Sequence, residues 1–584
     1  MQALKAKPQT NRGKIAMETT IITARPAADA GTDAPRNLEL FARKRDLSPG
    51  DSGFAIADYV GKHFFGVESG LRTHAEDRLK GAVVKKASAQ RPRSDAIALY
   101  RDRDTGLLRI ANRTVVFRLH AGLDAAARRK ALARHGLILA PGSHSDAPFA
   151  VASSADPDCH GDALLRFAQA LDAEPEFVFA APDFVSEFRH AAPGGAAKAG
   201  PSLQWHLDLI GAREAWKQTR GRRAITIAIL DDGVDIDHPE IEPNLRRNPV
   251  RKEPRDLYGR DFSAVPGTAD HYDPRPKAFS DPHDNADIND IHGTACAGVA
   301  VGTGPTAYGV APRCRMLPVK IFRGAIRKFE PGFPHTGQLA FNRVVASAIR
   351  YAALEARADV LSCSWSISAY PNDPVLYALR DIREEGRRGR GTIVVFASGN
   401  ESSRKVNFPA SDASVIAVGA STDADRVADY SNAGAELCVL APSSGGTRGI
   451  FTTDVTKRGR GYNPKKRTAD GTRGPFTDGF SGTSSATPAV AGLCGLLLSL
   501  KPQLTAEHVR RILIDTAKKI GPASAYKTNG HSNRYGYGRI DAAKAVAAAQ
   551  AWAPATKTPA AKTPANKTAT KKTTAKRPTS SKKR

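Results

Sequence analysis

Three residues stand out by type and by setting: Asp231, His292 and Ser484. Ser484 lies in DGFSGTSSATPAVAGLCGLLLSL (478–500), a glycine-flanked serine followed by a nearly all-apolar run. A run that is apolar all round reads as a helix buried in a large core. At about a dozen residues it falls short of the roughly 20 that a bilayer crossing needs. Ser484 then sits near a helix start, where unpaired backbone N–H groups favour negative charge and suit a developing oxyanion. Pro488 is placed in the first turn, where its missing N–H costs little. Asp231 ends the apolar run ITIAILD, and His292 opens HGTACAGVA, a helix of small residues. A hydroxyl is a weak nucleophile until a neighbouring base takes its proton, and that base needs a buried carboxylate to hold its tautomer. Acid, imidazole and hydroxyl, each at the end of an element, are the parts for acyl transfer by a serine.

The elements that must hold them alternate in type. Apolar runs at 224–230, 360–365, 393–397 and 415–418 read as strands, and 292–301, 341–356 and 505–520 as helices. Continuous apolar strands are expected when both faces of a parallel sheet are covered by helices. The fold class is therefore α/β, a parallel sheet flanked by helices over 204–550. Ahead of it, 106–189 reads β-α-β-β-α-β, a small ferredoxin-like α+β unit, with 184–185 closing the series. The stretch 1–105 has only short apolar clusters and is expected to be loosely ordered. A Gly/Ala/Pro linker at 190–203 reads as exposed and open to proteolysis.

Composition adds partners rather than chemistry. The 584 residues carry a net charge of +27, while hydrophobic content is an ordinary 41%. Part of the charge sits in 551–584, which holds ten Lys or Arg and no acid. That Lys/Ala/Thr/Pro tail cannot bury enough apolar surface to fold, and it is suited to a polyanion or nucleic acid, or simply to solvent. Six cysteines without metal-ligand spacing read as buried free thiols. The N-terminus has no apolar signal-peptide core and no stretch suits membrane insertion, so a cytoplasmic location is expected, or an extracellular one if the start site is misassigned.

The phrases ILDDG, HGTACAG, ASGN and FSGTSSATP, in that order, resemble the subtilisin-like (subtilase) serine proteases. The resemblance runs from about 204 to 549 and includes QWHLDLIGAREAW, YGVAPRCRMLPVKIF and NFPASDASVIAVGA. It implies a serine endopeptidase in which Asp231 orients His292, His292 shuttles the proton and Ser484 forms the acyl-enzyme. It also implies that Asn400 donates to the oxyanion together with the Ser484 backbone N–H. The substrate strand is implied at Ser364, Trp365 and Ser366, with Ala397, Ser398 and Gly399 lining the cleft. The unit at 106–189 resembles the family's prodomain, an inhibitor whose last strand lies across the cleft, so that self-cleavage is expected within 190–203.

Asp232 departs from most of the family, which has Thr or Ser there. The kexin/furin branch has Asp, and a carboxylate beside substrate would favour a basic side chain. Against a kexin-like preference, Ser366 replaces a glycine and Ala369 stands where that branch has an acid. Family members often bind calcium through the position of Glu240, so structural calcium is compatible, though none is required for the chemistry. Asp281, Asp284, Asp287 and Asp290 are further oxygen ligands, or a hydrated acidic loop. A catalytically idle binding protein on the same scaffold is the rival reading.

Overall fold

A computed structural model of the chain describes residues 38–43, 97–103, 107–189, 203–247, 258–264, 268–280, 287–322, 325–327, 336–367, 373–456, 461–462 and 474–553. The linker 190–202, Asp281, Asp284, Ala369 and the tail from 554 lie outside these.

The chain begins with β1 (Leu38–Arg43), β2 (Ala98–Asp102) and β3 (Leu108–Ala111). β1 and β2 fall within the first 105 residues, where the sequence promised only loose order. Ile97, Leu99 and Tyr100 are fully buried, and burial against the rest of the fold makes this short run a strand. Next come β4 (Thr114–Leu119), helix Ala125–Arg134, β5 (Leu137–Leu139), β6 (Ala150–Ser154), helix Asp162–Asp172 and β7 (Phe177–Pro182). Asp124 caps the first helix by accepting from the Ala127 N–H at 2.8 Å, which satisfies one orphan donor of the helix start. The four strands form an antiparallel sheet in the order β5-β6-β4-β7, packed around Phe117, Phe179 and Leu164. β8 (Val185–Arg189) was expected to close this unit and instead leaves it, pairing with β3 in a second antiparallel sheet.

The larger part supplies β9 (Thr226–Asp231), β10 (Arg260–Asp261), a hairpin of β11 (Ala278–Ser280) and β12 (Asp287–Asn289), and β13 (Arg315–Lys320). Then follow β14 (Ala325–Arg327), β15 (Thr336–Phe341), β16 (Val360–Cys363), β17 (Ile393–Ala397), β18 (Ile416–Ser421), β19 (Leu437–Pro442), β20 (Ile450–Thr453) and β21 (Phe476–Phe480). Seven strands form a parallel sheet in the order β10-β13-β9-β16-β17-β18-β19. Side chains alternate across it as the pleat requires. Ala228, Leu361 and Phe396 face the cluster around Ile349 and Leu379, from helices Asn342–Arg350 and Pro374–Glu384. Ile227, one residue out of phase, meets Gly495 of helix Gly482–Leu500, where an added Cβ would come within 2.9 Å of the isoleucine.

That helix is 19 residues long, not the dozen or so read from the apolar run. By length and composition alone it could cross a bilayer, but 94% of its apolar window is buried inside the protein. It is the core helix, and helix His292–Val301 packs against it.

The second antiparallel sheet runs β1-β2-β3-β8-β15-β14. β8 is held on one side by β3 and on the other by β15, which pairs with it from Val185–Phe341 to Arg189–Gly337. Residues from both halves of the chain therefore build one sheet.

Candidate active site

Asp231 ends β9 in the middle of the parallel sheet, and His292 begins its helix directly in front of that strand end. The carboxylate Oδ1 and the imidazole Nδ1 are 2.8 Å apart, with side chains 1% and 3% exposed. Burial pushes the imidazole down to about 4, against the pull of the nearby Asp232 charge, so the ring is neutral and Nδ1–H donates to Asp231. The ring also packs edge-on against Phe480, at 5.5 Å. Cys296, one turn on, lies 3.7 Å from Nδ1 and 3.8 Å from the Ser484 carbonyl, which brings the histidine and serine elements together. Burial raises the Cys296 thiol well above its ordinary value, so it is no thiolate rival to the serine.

Ser484 stands at the third residue of helix Gly482–Leu500, and Pro488 is the seventh, in the second turn rather than the first. A helix N–H at 488 would bond to the carbonyl at 484, and proline has none to give. The freed Ser484 carbonyl accepts instead from the Ser364 hydroxyl at 3.0 Å. In return the Ser484 hydroxyl donates to the Ser364 carbonyl at 3.1 Å. Proline in the helix thus docks the serine onto the extended segment that directly follows β16.

Asn400 follows β17 and approaches the same helix start. Its Oδ1 accepts from the Thr483 N–H at 2.8 Å and the Thr483 hydroxyl at 3.0 Å, which leaves the Nδ2 group as its donor. Gly399 has φ +108°, and a Cβ there would lie 2.3 Å from Asn432 Nδ2, so this position admits only glycine. Ser398 is fully buried, its carbonyl bonded by Asn432 Nδ2 at 3.2 Å. Ala397 is the buried last residue of β17. Glu401 carries one carboxylate oxygen fixed by the Asn400 N–H, Asn407 Nδ2 and Asn432 Nδ2 at 2.9, 3.0 and 2.7 Å.

Ser366 faces the end of β8. Its carbonyl accepts from the Arg189 N–H at 3.1 Å and its N–H donates to the Arg189 carbonyl at 3.3 Å, an antiparallel pair. Arg189 Nη1 lies 3.8 Å from the second oxygen of Glu401. Trp365, between the two serines, points the other way. It is 1% exposed, donates to the Leu230 carbonyl at 2.9 Å and packs edge-on against Phe396 and Phe188. Its backbone belongs to the cleft strand and its side chain to the core.

The subtilase family profile matches residues 222–538, more than half of the chain. The chain belongs to the subtilase family. It is 33% identical over 427 residues to the calcium-dependent protease of Trichormus variabilis, covering 67% of this chain and 56% of that one. It is 27% identical over 376 residues to human proprotein convertase subtilisin/kexin type 7, covering 60% and 42%. It is 30% identical over 343 residues to halolysin of Haloferax mediterranei, covering 59% and 53%. The subtilase thus spans about half the length of the curated relatives it matches.

Two expected site residues of this subtilase are held by main-chain donors. Asp232 is 1% exposed and its carboxylate accepts from the N–H groups of Ile291, His292 and Gly293 at 3.2, 3.1 and 2.8 Å. It caps the start of the His292 helix, because a carboxylate at a helix start finds unpaired donors close by. Glu240 accepts from the Thr306 and Ala307 N–H groups at 2.8 and 2.7 Å. Those donors occupy both carboxylate oxygens and point positive dipole ends into the place a cation would take. Glu240 pins the loop and does not fit a calcium ligand. Asp290 is paired with the buried Lys320 ammonium, which likewise does a cation's work. A half-buried group, His135, Glu174 and Glu176, has ligand spacing too, but Arg134 already bonds both glutamates at 3.1 and 2.6 Å. All six cysteines are buried and free.

Lys320, Gln338, Glu401, Asn407 and Asn432 also build the site; Glu401 directly follows the GN pair that marked Asn400, and Lys320 and Asn407 lie within YGVAPRCRMLPVKIF and NFPASDASVIAVGA.

Proposed function

We propose that this subtilase is a serine endopeptidase. Ser484 is the nucleophile, His292 the general base and then general acid, and Asp231 the group that fixes the imidazole tautomer. The observation that carries the reading is the buried Asp231–His292 bond of 2.8 Å beside a serine docked onto the cleft strand. Asn400 Nδ2 and the Ser484 N–H supply the oxyanion donors, an arrangement worth roughly 3 kcal/mol per donor in the transition state. A fluorophosphonate probe tests the reading: rapid labelling of the wild type, none of Ser484→Ala, and hydrolysis of an unfolded protein by the former. An unlabelled wild type after removal of the N-terminal segment contradicts it and favours an idle scaffold.

The unit at 106–189 is assigned as a ferredoxin-like prodomain, and the chain as a self-processing zymogen. The Arg189–Ser366 pair supports this, because β8 takes the place of an added substrate strand. In that register a substrate's second following residue lies opposite Ser364, beside Ser484, which directs self-cleavage into 190–203. Calcium dependence, named for the Trichormus relative, is not carried here by Glu240.

A second reading, a preference for basic side chains, is favoured by Arg189 at Glu401. A Glu401→Gln variant should lose about 3- to 10-fold in kcat/KM on peptides with Arg two residues before the one at the cleaved bond, and little on their Ala counterparts. Equal losses on both would end this reading.

A further inference from the structure

Two carboxylates leave the end of β9 side by side, and only one of them touches the imidazole side chain. Asp231 holds the ring, while Asp232 holds the backbone that carries the ring, through the N–H groups of Ile291, His292 and Gly293. The approach is close enough that a Cβ on Gly293 would come within 2.2 Å of the Gly233 carbonyl and 3.0 Å of Asp231 Cβ. Behind Asp232 stands Lys320, fully buried on β13 in the register position next to Asp231. Its ammonium donates to the Asp232 carbonyl and to Asp290, whose Oδ2 also accepts from the Lys277 N–H at 2.9 Å. Burial works against this ammonium, but Asp290, Asp261 and Asp232 together outweigh it and hold its pKa above the ordinary value. From the cleft side Gln338 of β15 reaches Asp232 at 3.5 Å.

We propose that Asp232 is a positioning residue for His292: it fixes the start of the histidine's helix against the end of β9 and places a second negative charge beside the ring, with the Lys320–Asp290 pair as its anchor. The proposal rests on the acyl-transfer reading of the site. An imidazolium forms at His292 in the transition state, at a helix start whose dipole opposes positive charge. A carboxylate there offsets the dipole and locks the geometry in one stroke. The titratable and charged groups around the ring are Asp231 and Asp232 from β9, Cys296 from its own helix, Tyr462 near both carboxylates, and Lys320 with Asp290 behind. The Asp232 charge opposes the burial that lowers the ring's pKa.

The test is the pH profile of kcat/KM on the processed enzyme, per active site counted with the fluorophosphonate probe. Asp232→Asn keeps a capping acceptor without the charge. It should lower kcat roughly tenfold with KM little changed, and move the acid limb down by about one pH unit. Lys320→Met should lower kcat more weakly and leave the acid limb in place, because Asp290, left without its ammonium, takes up a proton and the two charges are lost together. If Asp232→Asn folds poorly, Asp232→Thr, a neutral cap of another shape, gives the same readout on the sites that remain. Fewer countable sites with an unmoved limb would make Asp232 a structural cap only and overturn the proposal. A rise in KM confined to peptides with a basic residue near the cleaved bond, at unchanged kcat, would make it a substrate contact and overturn it too. A wild type that the probe never labels would instead refute the acyl-transfer reading itself.

Discussion

The back and the front of the cleft are built on different principles. At the back, Asp231, His292 and Ser484 come from the ends of one strand and two helices, each buried in the core. At the front, β8 is held by backbone ladders to β3 and β15 and by single pairs at Ser366 and Glu401. Backbone ladders are indifferent to sequence, so a substrate strand could replace β8. On the proposed reading, the back does the bond chemistry and the front decides what reaches it.

The largest effect that sharpens this contrast lies at the junction of the two. Asn400→Ala removes the proposed oxyanion donor and leaves both the strand pairing and the proposed triad in place. It should lower kcat by about 10²- to 10³-fold with KM nearly unchanged, as steady-state kinetics on a peptide ester would show. A loss in KM alone would move Asn400 from the back of the cleft to the front.

A smaller effect probes the strength of the front. Phe188 on β8 is fully buried and packs against Trp365 and Phe322 at ring distances of 5.4 and 4.8 Å. Phe188→Ala in an inactive Ser484→Ala background should destabilise the β8 contact by about 3 kcal/mol. Thermal unfolding and limited proteolysis of β8 report it. No change would mean that the ladders alone hold the strand.

The smallest effect is a titration. Burial holds His292 near 4, below its ordinary 6.5, because a buried imidazolium loses hydration. Removing 1–203 lets water reach the ring, so its pKa should rise toward 6.5. Ring NMR of the Ser484→Ala chain with and without that segment checks the sign. An unchanged value would place the desolvation in the back wall rather than in β8.

The back of the cleft was largely legible in the sequence, because strand ends and helix starts leave local signatures: an apolar run before Asp231, small residues after His292, glycines around Ser484. Pro488 was misplaced by a turn because the helix starts at Gly482, a residue whose positive φ gives no helical cue. The front was poorly legible. β2 and β8 are short, and their pairing partners lie far along the chain, so nothing local tells Val185–Arg189 to leave one sheet for another. The capping role of Asp232 was hidden for a related reason. A carboxylate next to a catalytic-looking one invites a chemical role, while its actual partners are main-chain N–H groups that no side-chain pattern announces.

The central claim is that a competent back wall is covered by a strand the protein itself must cut away. Intact mass with N-terminal mapping of the purified wild type and of Ser484→Ala tests it directly. The account predicts a wild type shortened to a new N-terminus within 190–203 and a variant that keeps its full length. Two full-length proteins, or two equally shortened ones, would contradict it.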